Sequence, residues 1–133
     1  MSKLPDLANQ RLLVWRDSVA AGDDGDAPHE IVLDIGANDS FQSIVARILA
    51  TNYLPSIAGG HATWIVELGS RPLAVVAQQW PTVRYLVDPV QDICSIAGSA
   101  GQPHLYFTYW CQADPELVFE SLRNGRPLPS KYT

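Results

Sequence analysis

The sequence predicts an α+β domain: one mostly antiparallel sheet of about five strands, organised on a central hairpin at residues 61–80, with two or three helices packed on one face. Three observations carry this. Residues 62–68 and 73–77 are apolar runs rich in β-branched side chains, separated by Gly69-Ser70-Arg71-Pro72, the pattern of a hairpin. Residues 41–49 carry Phe41, Ile44, Val45, Ile48 and Leu49 at helical spacing. The remaining strand patterns follow one another as a meander, without the regular crossover helices of a parallel sheet. With Leu68 opposite Leu73, Val66 meets Val75, Trp64 meets Ala77 and Ile65 meets Val76, so both hairpin faces are apolar and the hairpin belongs in mid-sheet.

In chain order, Leu4, Ala8, Leu12, Trp15 and Val19 fit a helix over residues 5–19, with Pro5 in its first turn. The run Arg11-Leu12-Leu13-Val14-Trp15-Arg16 also fits a short strand, because four consecutive apolar residues suit either structure. Residues 20–28 combine glycines, aspartates and a proline and read as a mobile loop. Residues 30–35 are a strand ended by Gly36. Asp39 is positioned to cap the following helix, with Gln42 three places on, and Asn52 and Pro55 end it. Residues 83–87 read as a third meander strand after Pro81. Residues 90–102 are irregular with about one helical turn, and 104–111 form a strand with aromatics on both faces. Asp114-Pro115 opens a last helix that Asn124-Gly125 stops, and residues 126–133 form an extended tail.

A chain of 133 residues suits a single globular domain, able to bury roughly two-thirds of its unfolded surface without staples. Cys94 and Cys111 lack any redox or zinc spacing and read as free thiols of a reducing compartment. Residues 1–6 hold no signal-like apolar core, and no apolar run approaches a membrane span. A cytoplasmic location is the expectation. The net charge is −5, and the 9 basic residues are scattered singly, which argues against nucleic acid as partner. The cluster Asp23-Asp24-Gly25-Asp26 lacks the alternating ligands and closing glutamate of a calcium loop. His29, His61 and His104 form no ligand motif, and no metal or catalytic set is expected. In an unbroken strand His104 and Cys111 point to opposite faces.

Residues 32–40, Val-Leu-Asp-Ile-Gly-Ala-Asn-Asp-Ser, resemble the first motif of the S-adenosylmethionine-dependent methyltransferases, a strand ending at an acidic residue, a glycine turn and a helix start. The resemblance covers nine residues, and Asp39 or Ser40 stands where that motif has a further glycine. It implies an adenosyl cofactor lined by Asp34, Gly36 and Asn38, with Glu67 on its ribose and His61 nearby.

A second candidate ligand group is His61, Trp64, Gln78, Gln79 and Trp80, where amides and indoles offer directed hydrogen bonds beside apolar faces. The same aromatics suit an interface. With 4 Trp, 5 Tyr and no evident catalytic set, the first expectation is a non-enzymatic protein-interaction domain, without a cofactor. It would self-associate or bind another protein through an apolar sheet face that includes Ile65, Val76 and Trp80. The alternatives are a small-ligand or adenosyl-binding protein and an acidic, immunity- or antitoxin-like protein that blocks a basic partner.

Overall fold

The computed structural model describes residues 9–17, 30–36, 38–55, 60–97 and 103–131. In chain order they form β1 (Asn9–Arg16), β2 (Glu30–Gly36), α1 (Phe41–Ala50), β3 (Thr63–Leu68), β4 (Arg71–Ala77), β5 (Arg84–Tyr85), the single-turn α2 (Ile93–Ala97), β6 (His104–Tyr109) and α3 (Pro115–Asn124). All six strands belong to one sheet, in the order β2-β1-β6-β3-β4-β5. Every neighbouring pair is antiparallel except β1 and β6, which run parallel, so the α+β sheet is mixed. No described helix is long and apolar enough to cross a membrane. The proposed loop at 20–28 lies outside the described residues.

The helix expected over residues 5–19 is corrected for its described part, which is strand β1. Along it Leu12, Val14 and Arg16 are buried while Arg11 and Trp15 are exposed, the period of two that a strand imposes. Within the apolar run, Leu12 and Val14 enter the first core while Leu13 and Trp15 lie on the other face, and β1 is paired by β2 on one edge and β6 on the other.

The hairpin forms, with a different register. Gly69 takes φ +63°, which lets the two residues Gly69 and Ser70 make the turn, so Leu68 faces Arg71 instead of Leu73. Glu67 then faces Pro72 and Val66 faces Ala74, which leaves Leu73 as the extra residue of a bulge. Beyond it Ile65 faces Val75 and Trp64 faces Val76. The consequence is a change of face. Val76 lies on the side of Trp64, and Val75 on the side of Ile65, so Ile65 and Val76 do not share the surface expected of them.

Helices cover both faces of the sheet, not one. On the first face α1 sets Phe41, Ile44, Val45 and Ile48, and α2 sets Ile93 and Ile96, over Leu12, Val14, Trp64, Val66, Leu105 and Phe107. On the second, α3 lays Val118 and Phe119 over Ile65 and Val75. A hairpin that is apolar on both sides demands this second layer. The α1 cap is Ser40, whose Oγ accepts from Ser43 N at 3.2 Å, because Asp39 is engaged elsewhere. Asp114 caps α3 and Gly125 ends it at φ +68°, as the sequence indicates. Strand β5 is confined to Arg84–Tyr85 of the expected residues 83–87, and β6 stops at Tyr109, before Cys111 enters a turn at φ +57°. The tail beyond Arg126 is held at Pro129, whose carbonyl accepts from Trp110 Nε1 at 2.8 Å.

Phe107 is fully buried on β6, edge-on to Tyr53 with ring centroids 5.9 Å apart. Phe107→Ala removes that packing and leaves a cavity in the first core. The expected loss is ~3–5 kcal/mol of unfolding free energy in urea titration, while exposed Leu117→Ala changes it by less than about 0.5 kcal/mol.

Candidate functional site

The turn after β2 was the first sequence candidate. Asp39 fills it: Gly36 N donates to Asp39 Oδ2 at 2.8 Å, and Asp39 N donates back to Gly36 O at 3.2 Å. The N-terminal amides of α1 are also taken. Phe41 N donates to Gln91 O, Gln42 N to Pro89 O, Ser43 N to Ser40 Oγ and Ile44 N to Ser40 O. A helix start holds an anionic ligand through just these amides, and here the chain itself has satisfied them. Asp34 lies on the face away from the first core, its side chain 88% exposed and 3.9 Å from Arg11 Nε, and Asn38 is exposed. The neighbour of β2 is antiparallel, and Glu67 sits on β3, three strands away in the sheet. These residues do not fit the adenosyl cofactor that the resemblance implies.

The second group does not gather either. Trp64 is buried in the first core, whereas Trp80 packs against the second with the Arg84 guanidinium 4.2 Å above its ring. Arg84 also pairs with Glu116 of α3 at 2.8 Å. Gln78 accepts from Ala62 N at 2.9 Å and borders a small cleft of about 160 Å³ with Asn52 and Pro55. His61 and Gln79 are exposed. A broader cleft of about 490 Å³ lies between α1 and residues 81–85, bordered by Gln42, Leu49, Thr82 and Tyr85. Of the expected interface residues, Ile65 is 1% exposed beneath α3, Val76 is half-buried against the first core, and Trp80 is half-buried.

The surface that the strand order does create is the other half of the second face. Register places Arg11, Leu13 and Trp15 of β1 beside Asp34, Val32 and Glu30 of β2, and Leu13 and Trp15 beside His104 and Tyr106 of β6. Glu67 of β3 continues the row beyond Tyr106. Helix α3 covers Ile65 and Val75 but none of these, so Trp15 remains 36% and Val32 50% exposed. The result is an apolar and aromatic centre with Glu30, Asp34 and Glu67 around it and Arg11 as its cation.

Polar contacts fix the middle of this face. Tyr106 donates its hydroxyl to Asp17 Oδ1 at 2.6 Å, and Tyr109 N donates to Asp17 Oδ2 at 2.9 Å. The bond to the Asp17 carboxylate, with burial, pushes the Tyr106 hydroxyl up to about 12. Thr108 Oγ1 donates to Glu67 Oε1 at 3.1 Å. Burial raises the Glu67 carboxyl above its ordinary range, the Thr108 bond opposes this, and the Asp17 charge adds to it. Cys111 lies past the end of β6, and the Cys94 side chain is outside the described atoms. No group of three His, Cys, Asp or Glu side chains suited to a metal ion occurs among the described residues.

Sequence reasoning missed Trp15, Val32, Asp17 and Tyr106 as a group. A signal existed in β2, where Glu30, Val32 and Asp34 alternate with Ile31, Leu33 and Ile35 and mark one wet face. Comparison with known family models, curated proteins and solved structures gives no match to this chain.

Because the folded state holds the Glu67 proton more tightly than the unfolded chain does, wild-type stability falls as pH rises through the carboxylate range. Glu67→Gln keeps the acceptor for Thr108 and has no charge to lose. Thermal unfolding of the variant should match wild type in acid, below the ordinary glutamate pKa, and exceed it at neutral pH.

Proposed function

We propose that this chain is a non-enzymatic protein-interaction domain whose binding surface is the half of the second sheet face formed by β2, β1 and β6. The supporting observation is the pairing of exposed Trp15 and Val32 around Leu13 on adjacent strands, an apolar centre with a polar rim. The rim is acid-rich, with Glu30, Asp34 and Glu67 against Arg11, and the chain carries a net charge of −5. A second copy would bring the same signs to this face. A partner with cations around an apolar patch complements it, and this agrees with the immunity- or antitoxin-like alternative read from composition. Self-association through Ile65, Val76 and Trp80 has less support, since α3 lies over Ile65 and Val76 belongs to the opposite side.

A smaller ligand has the 490 Å³ cleft beside α1 in its favour, a volume in the range of small-molecule sites, bordered by uncharged polar and apolar groups. Its openness to solvent favours weak binding.

The interaction reading is tested by affinity capture from the native host with wild type, Trp15→Glu and Glu30→Lys. Trp15→Glu should abolish capture, and Glu30→Lys should slow association and flatten its dependence on salt. A partner retained equally by all three proteins would show that binding uses another surface.

A further inference from the structure

The backbone of β2 has a free side, and the hydrogen bonds of β1 determine which residues occupy it. Leu13 N donates to Pro103 O at 3.3 Å, and Asp17 N to Phe107 O at 3.1 Å, so the odd-numbered residues of β1 turn their backbone groups to β6. Its even-numbered residues therefore turn to β2, where the register sets Gln10, Leu12 and Val14 against Ile35, Leu33 and Ile31. This leaves Glu30, Val32, Asp34 and Gly36 directing N–H and C=O outward, at an edge where no described strand pairs. Such an edge is a template for strand addition.

The outer groups at one end of this edge are already engaged from α1 and its entry turn. Gly36 exchanges both backbone bonds with Asp39, and Arg47 of α1 donates from Nη2 to the Asp34 carbonyl at 3.1 Å. Asp39 in turn lies 3.5 Å from Arg47 Nη1. We infer that Arg47, seated by Asp39, closes the β2 edge to a second copy of the chain, and that freeing the Asp34 carbonyl makes two copies pair β2 against β2.

The possible registers identify the occupant and the guard. In an antiparallel two-fold pairing the outward residues of both copies must face one another. Centred on Val32, the pairing needs the Asp34 carbonyl to accept from Glu30 of the second copy and sets those two carboxylates opposite each other. Centred on Leu33, it pairs Val32 with Asp34 of the second copy, again through that carbonyl. Here Ile31 meets Ile35 on the first-core side and no acids are opposed; Asp39 keeps the Gly36 backbone from Glu30, but the two Val32–Asp34 pairs remain, so this is the register that becomes available. Centred on Asp34, both copies need the same carbonyl, and the two Asp34 side chains collide in charge. Pairings centred nearer Glu30 avoid Arg47 but overlap only the start of β2. The backbone that a second copy requires to overlap β2 beyond its first residues is thus the backbone that Arg47 holds.

Arg47→Ala tests this by sedimentation velocity over a concentration series, since the side chain is half-exposed and its removal leaves the first core intact. The variant should show one assembly step, a doubling of mass, at concentrations where wild type does not. Val32→Pro added to Arg47→Ala should reverse it, because proline removes an outward N–H without touching the ladder to β1. Trp15→Glu, which disables the proposed binding face, should leave the doubling in place, so the two surfaces are read separately. Far-ultraviolet circular dichroism reports that each variant is folded, and Arg47→Met, which has no donor for the Asp34 carbonyl, substitutes if the alanine variant is not. Arg47→Ala with wild-type mass, or a doubling that survives Val32→Pro, overturns the inference.

Discussion

The molecule holds one sheet because β1 lies parallel beside β6. Without that pairing the strands separate into an N-terminal hairpin, β1–β2, and a second unit built on β6, β3, β4 and β5. Asp17, at the end of β1, strengthens the joint from the side chain as well as the main chain. Its amide donates to Phe107 O, while its carboxylate receives the Tyr106 hydroxyl and the Tyr109 amide. Bonds to a charged acceptor are worth about twice a neutral one, so this one residue ties β6 down at several places. The first core runs across the same joint, with Leu12 and Val14 on one side and Leu105 and Phe107 on the other.

The joint also lies under the surface proposed for a partner. The first face carries α1 and α2 and the β3–β4 part of the second carries α3, which leaves the β1–β6 seam as the region with no described helix above it. Asp17 and Tyr106 therefore hold together the strands that carry the proposed surface around Trp15 and Val32.

The elements with a strong local period were legible in the sequence: α1, α3, β2, the β3–β4 hairpin and β6. Residues 12–15 were ambiguous because Leu13 and Trp15, on the open second face, are as apolar as Leu12 and Val14 in the first core, so the run has no diagnostic alternation. The hairpin register was missed for a different reason. Gly69-Ser70-Arg71-Pro72 looks like a four-residue connection, but Gly69 in the left-handed region closes the turn in two residues, and the bulge at Leu73 absorbs the difference. That single shift carried Val76 to the other face and removed the expected interface. The surface proposed for binding was not legible because it needs strands from distant parts of the chain to become neighbours, a matter of topology that no local pattern encodes.

The strand order has a consequence for synthesis. β6 follows β1 by almost ninety residues, yet it pairs with β1 along one edge from Leu13 to Arg16. At typical elongation rates of about 5–20 residues per second, β1 leaves the ribosome roughly 5–20 seconds before its permanent neighbour exists. During that interval the β1–β2 hairpin has no β6 to join, and Leu12 and Val14 have neither Leu105 nor Phe107 to pack against. Pairing of such high sequence separation is also intrinsically slow once both strands are present. Until β6 emerges and inserts beside β1, the apolar residues of both strands thus lack the packing that the folded sheet gives them.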